Sequence, residues 1–135
     1  MKNVAAYGGA VLAILVIVFA FISFYEKSPG ADLIRAYGWE IGSAPIDSAS
    51  FVIPAEFEDV YQNYNKLQIE AGLDLEPYKN KPAKRYTYEV KNYPDCPYNV
   101  RANVIIVDHT AVAGDICTVE PDGFMHALSR HPDST

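Results

Sequence analysis

The residues able to do chemistry gather in the last third of the chain: Asp108, His109, Asp115, Cys117, Glu120, Asp122 and His126. A cysteine nucleophile needs a base that holds its thiolate, and Cys117 follows Asp115 by two positions with His109 and His126 near in sequence. On a strand, Asp115 and Cys117 share one face, whereas His109 sits across a turn at the far end. No helix N-terminus follows to lower the thiol pKa. A thiol-dependent enzyme using Cys117 is therefore a weaker reading than a small buried hydrophobe or half of a disulfide. The same carboxylates and histidines match no HExxH, paired-cysteine or EF-hand spacing, so no metal ligands are assigned. Phosphate loops, hydrolase elbows and paired carboxylates are missing from the sequence too. No catalytic residue and no cofactor is assigned, and the chain reads as a non-enzyme.

Tyrosine is the other group with binding chemistry, and the chain has 10 of them. Their rings can stack on sugars or anchor a protein partner. Tyr61, Tyr64, Tyr86 and Tyr88 fall on faces that the periodicity assigns to a core. Tyr78, Tyr93 and Tyr98 fall in loops flanking the expected sheet and form the candidate binding surface.

The elements that must position these groups read as α+β. Ser28-Pro29 starts a short helix of about nine residues, which Gly38 ends in the left-handed conformation. Trp39-Glu40-Ile41 and Ser50 to Ile53 read as short extended pieces. From about Pro54 to Ala71, Phe57, Val60, Tyr61, Tyr64, Leu67 and Ala71 recur on one face at the helical period. That spacing predicts a long helix with Tyr64 and Leu67 buried beneath it. Arg85 to Lys91 alternates strictly, Val100 to Val107 contains a continuous apolar run, and Ala111 to Val119 returns across a two-residue turn at Asp108-His109. The expected product is a two-layer domain, an antiparallel β-meander whose apolar face is covered by the long helix and the short one. Counting from the turn places Cys117 opposite Val100. Cys96 lies in the bent loop entering that strand, so a Cys96–Cys117 disulfide is an open possibility.

Residues 4–25 carry no charge. As a helix this run would span about 33 Å, enough for a hydrocarbon core of about 30 Å. Its aromatic end, Phe24-Tyr25, suits a membrane interface rather than a signal-peptide cleavage site. Lys2 and the α-amino group bias the N-terminus toward the cytoplasm. The expectation is a single N-terminal transmembrane helix over 1–27, an extracytoplasmic domain over 28–126 and a flexible tail over 127–135. The segment after residue 25 holds all 17 acidic residues, within a chain of formal charge −6. Such an acidic surface excludes nucleic acid as a partner and leaves the membrane, through the anchor, and an envelope protein or ligand.

The stretches AYGWEI, IPAEFEDVYQNYNKLQIEAGLDLEPYK, RYTYEVKNYPD, NVRANVIIVD and GDICTVEPDGFMH resemble a family of short membrane-anchored bacterial proteins. The family is common in Gram-positive bacteria and catalogued only as a domain of unknown function. The resemblance covers roughly Ala36 to His126 and implies an N-terminal anchor and an envelope-facing domain. It implies no activity, cofactor or catalytic residue. A glycine is expected in the turn where this chain has His109.

Overall fold

The computed structural model describes residues 13–15, 28–96 and 99–132. Helix α1 is Ala31–Ala36 and helix α2 is Asp59–Glu70, with a short 3-10 turn at Glu76–Tyr78. Five strands, β1 (Asp47–Val52), β2 (Pro82–Glu89), β3 (Val100–Val107), β4 (Thr110–Thr118) and β5 (Met125–His126), form one antiparallel sheet in the order β1-β2-β3-β4-β5.

The β3–β4 hairpin forms where the alternation stops. Asp108 (φ 48°) and His109 (φ 63°) both take positive φ, which a two-residue turn matched to strand twist requires. Val107 pairs with Thr110 and Ile106 with Ala111, but Ile105 then pairs with Ala113. Val112 is thus an extra residue in β4, a β-bulge, and every later partner shifts by one. Cys117 consequently lies opposite Arg101, and Val100 opposite Thr118. A one-residue slip moves a side chain to the other face of the sheet.

Both faces of this sheet are packed, and the helices divide between them. One face presents Tyr88, Val90, Val100, Ala102, Val104 and Ile116 to α1, through Ala31 and Ile34, and to Trp39 and Leu128. The other presents Ala83, Ile105 and Val107 to Tyr61 and Tyr64 of α2, together with Ile53 and Leu75. Burial of each large aliphatic chain contributes about 1.5–3 kcal/mol, so the two clusters share the stabilisation of the fold. The fully buried residues of α2 are polar. Asn65 Oδ1 accepts from the Leu75 N–H at 2.7 Å, and Gln68 Oε1 accepts from the Gly114 N–H at 2.8 Å. These bonds fix the loop after the helix and the side of β4 that the two-residue β5 leaves unpaired.

This arrangement corrects the expected fold class in three respects. The sheet has five strands, since β1 and β5 join the meander. The two helices are short and lie on opposite faces, so they do not cover one apolar face together; Tyr64 and Leu67 are only half-buried. Among the described residues no helix is long and apolar enough to cross a membrane, which overturns the transmembrane helix as a component of the described fold. The charge-free run lies outside the described residues except for residues 13–15, which are helical and exposed.

Residues 127–132, set apart in sequence as a tail, carry contacts of the first cluster. Ala127 and Leu128 are fully buried. The indole N–H of Trp39 donates to the Leu128 carbonyl at 2.8 Å, and His131 stacks on the indole with ring centres 4.2 Å apart. His131 Nε2 lies 2.6 Å from the Tyr37 carbonyl, to which it can only donate.

Candidate functional site

The groups with chemical potential fall into three places. The first is a polar cluster on the α2 face, where the alternation of β2, β3 and β4 brings Thr87, Asn103, Asp115 and Cys117 together. Asp115 is 1% exposed. Its Oδ1 accepts from the Tyr64 hydroxyl at 2.6 Å, and its Oδ2 accepts from the Asn103 amide at 3.1 Å. The same amide lies 3.3 Å from Cys117 Sγ, and the Thr87 hydroxyl donates to Asn103 Oδ1 at 2.7 Å. Burial pushes the Asp115 carboxyl up, against the hydrogen bonds from Tyr64 and Asn103 that pull it down. Burial, then the Asp115 charge, pushes the Cys117 thiol up and holds it away from the thiolate form. The Tyr64 phenol is raised well above its ordinary value by burial and by Asp115. These groups satisfy one another and tie α2 to the sheet; no histidine approaches the sulfur.

A pH dependence follows from Asp115. Its folded pKa lies above its unfolded value, so its contribution is fully present below the unfolded pKa and is lost as pH rises through the folded pKa. Asp115→Asn should remove that loss. The melting temperature of the natural chain relative to Asp115→Asn should fall as pH rises from below 4 toward neutrality. A difference independent of pH would show the carboxyl unperturbed.

The second place is an aromatic stack at the end of the α1 face nearest β5. Tyr93 lies parallel to Trp39 (5.5 Å, 7°) and to Phe124 (5.1 Å). Its hydroxyl lies 2.9 Å from His126 Nε2, while His126 Nδ1 lies 2.8 Å from the Ala127 carbonyl. The carbonyl can only accept, so Nδ1 carries a proton, and Nε2 faces the Tyr93 hydroxyl. Among the sequence-selected binding tyrosines, Tyr93 is therefore half-buried in this stack. Tyr78 packs with Ile53 and Leu75 in the cluster on the opposite face. Tyr98 lies outside the described residues. The structure does not bring Tyr78 and Tyr93 together. Cys96 packs against the α1-face cluster while Cys117 lies on the α2 face, so the sheet stands between the two sulfurs.

Of the expected acidic and histidine set, Asp108 and His109 are exposed at the hairpin tip, and Asp115 and His126 are buried in separate places. Among the described residues no group of three or more His, Cys, Asp or Glu is placed to hold a metal ion.

The third place is a groove that the periodicity does not announce. Between α1 and the 108–109 turn the α1 face of the sheet is uncovered, because α1 is only six residues long. Leu33, Val52, Tyr86 and Ile106 supply its apolar surface, with Lys84 and Asp108 beside them. Val52 is 59% exposed. Lys84 Nζ lies 5.7 Å above the Tyr86 ring, close enough for a cation–π contact. Lys84 stands within the floor, opposite Ser50 on one side and Ile106 on the other, whereas Asp108 lies at the hairpin end; the hydroxyl residues Ser28, Ser50 and Thr110 also line the groove. It offers apolar surface interspersed with hydroxyl and charged groups.

A family model described as a domain of unknown function (DUF4830) matches residues 33–116. The matched part begins within α1, contains β1, α2, β2 and β3, and ends within β4. No curated protein and no solved structure matches the chain.

Proposed function

We propose that this chain, which belongs to the DUF4830 family of domains of unknown function, is a non-catalytic interaction module that holds a protein partner in the groove beside α1. The observation that carries the reading is that groove: the partly exposed Leu33, Tyr86 and Ile106 and the exposed Val52, with Lys84 among them and Asp108 at one end, a mixed surface of the kind from which protein contacts are built. The contrast with the polar cluster supports it, since Asp115, Tyr64 and Cys117 are occupied with one another. The proposed place of action is the outer side of the cell envelope, a location that rests on the charge-free run of residues 4–25. The rival reading, a glycan or small-ligand site built from Tyr78, Tyr93 and Tyr98, draws no support from the separation of the first two. Thiol-dependent catalysis by Cys117 is disfavoured by the raised thiol, which the neighbouring Asp115 charge helps to hold protonated.

A photocrosslinking side chain placed at Lys84 tests the function. In intact cells it should give a discrete protein adduct that Ile106→Arg abolishes, while the same group at the exposed Lys66 of α2 should give none. Equal labelling from both positions would sink the reading. Protection of the domain from protease added outside the cells would sink the location alone.

A further inference from the structure

We propose that the domain pairs with a second copy of itself through β1, joining two five-stranded sheets into one. β1 is an edge strand, and among the described residues its strand partner is β2 alone. The Ile53 N–H donates to the Lys81 carbonyl at 2.9 Å, which sets the phase of the ladder. Antiparallel alternation then turns Ala49 and Phe51 toward β2, and turns the N–H and C=O of Ser48, Ser50 and Val52 outward. These three residues are exposed. Edge strands are ordinarily guarded by lysine, proline or a bulge, because an open row of donors and acceptors invites another strand. Between Ser48 and Ile53 there is no charge and no proline.

The sequence of β1 is suited to its own copy. Antiparallel pairing about a two-fold axis at Ser50 sets Ser50 against the partner's Ser50, Ser48 against the partner's Val52 and Phe51 against the partner's Ala49. Asp47 then meets the partner's Ile53 rather than another carboxylate, so no like charges oppose across the seam. Each chain carries a formal charge of −6, which repels the other copy. That repulsion is screened beyond about 8–10 Å at physiological salt, and the seam itself is neutral. A two-fold axis perpendicular to the sheet keeps the α1 faces of both copies on the same side. Ser28, which lies at the groove on that face, is then on the same side in both, and the two grooves adjoin across the seam.

The test uses the full-length chain in mild detergent, with sedimentation velocity for mass and amide hydrogen exchange for the edge. The natural chain should form a dimer, and the amides of Ser48, Ser50 and Val52 should become protected as concentration rises. Ser50→Lys and Ser50→Asp each place like charges directly opposite at the axis and should be folded monomers, the lysine variant melting below the aspartate variant because position 50 also faces Lys84 across the β1–β2 ladder. Mixing the two should restore a one-to-one dimer, because the charges then complement. A natural chain that stays monomeric at all concentrations overturns the proposal and leaves the edge to a foreign strand. A Ser50→Lys chain that still dimerises, or a mixture that does not, overturns it equally.

Discussion

Leu128→Ala should cost about 2–5 kcal/mol, the usual range for truncating a fully buried leucine. For a domain of this size that is a fall in melting temperature of roughly 10–40 °C. Leu128 is 0% exposed and joins the cluster of Ile34, Tyr88, Val104 and Ile116. Its backbone carbonyl also receives the Trp39 indole N–H. The truncated side chain leaves a void beside Gly114, where no Cβ fills the space: a Cβ on that glycine would stand 2.8 Å from Leu128 Cδ1. The variant should therefore lose stability and also shift Trp39 fluorescence toward a wetter environment before the main transition. A melt that matches the natural chain would show that residues beyond His126 take no part in the core.

Gly30→Ala should produce a loss of similar size for a different reason. Gly30 caps the start of α1 with φ 73°, a left-handed backbone that costs an alanine about 1–2 kcal/mol. A Cβ there would also stand 2.7 Å from both methyl carbons of Val104. Val104 is fully buried in the central strand and cannot retreat without disturbing the cluster, which adds about 1–3 kcal/mol of overpacking. Gly72 supplies the comparison: its φ is 79°, and nothing lies within 4 Å of the position a Cβ would take. Gly72→Ala should show the backbone cost alone. Equal denaturant midpoints for the two variants would mean that α1 stands farther from β3 than described.

What could be read from sequence was whatever depends on short-range pattern. The alternation from Arg85 to Lys91 and the apolar run before Asp108 place β2, β3 and the hairpin because period-two burial and positive-φ turns are local properties. The extra residue Val112 carries no local mark, yet it decides which face Cys117 occupies. Of the helical stripe, Phe57, Tyr61 and Tyr64 pack against the second cluster, but Val60 is 78% exposed and burial on α2 goes to Asn65 and Gln68, which bond backbone groups outside the helix. Pattern reading assigns amides to the surface, since their burial depends on bonds that only the tertiary fold provides. The groove arises from an absence, a helix too short to cover its face, and no single residue signals that. Tyr88 shows the same limit from the other side. Its place on the core face was legible, but not that its hydroxyl donates to the Pro29 carbonyl at 2.6 Å and that burial pushes its pKa up to about 12.

The bond from Trp39 to Leu128 joins residues 89 positions apart, and His131 reaches Tyr37 across 94. A growing chain that has emerged only as far as β3 has α1, the indole and the Tyr88, Val100 and Val104 of their cluster, but still lacks Ile116, Leu128 and His131. The first cluster can be completed only after nearly the whole described sequence has left the ribosome or a translocation channel. Contacts of such long separation slow folding, because the intervening chain must be ordered before they form. Until then the hairpin and its apolar face stand open, and the interval between synthesis and closure is when this chain most needs a chaperone's cover.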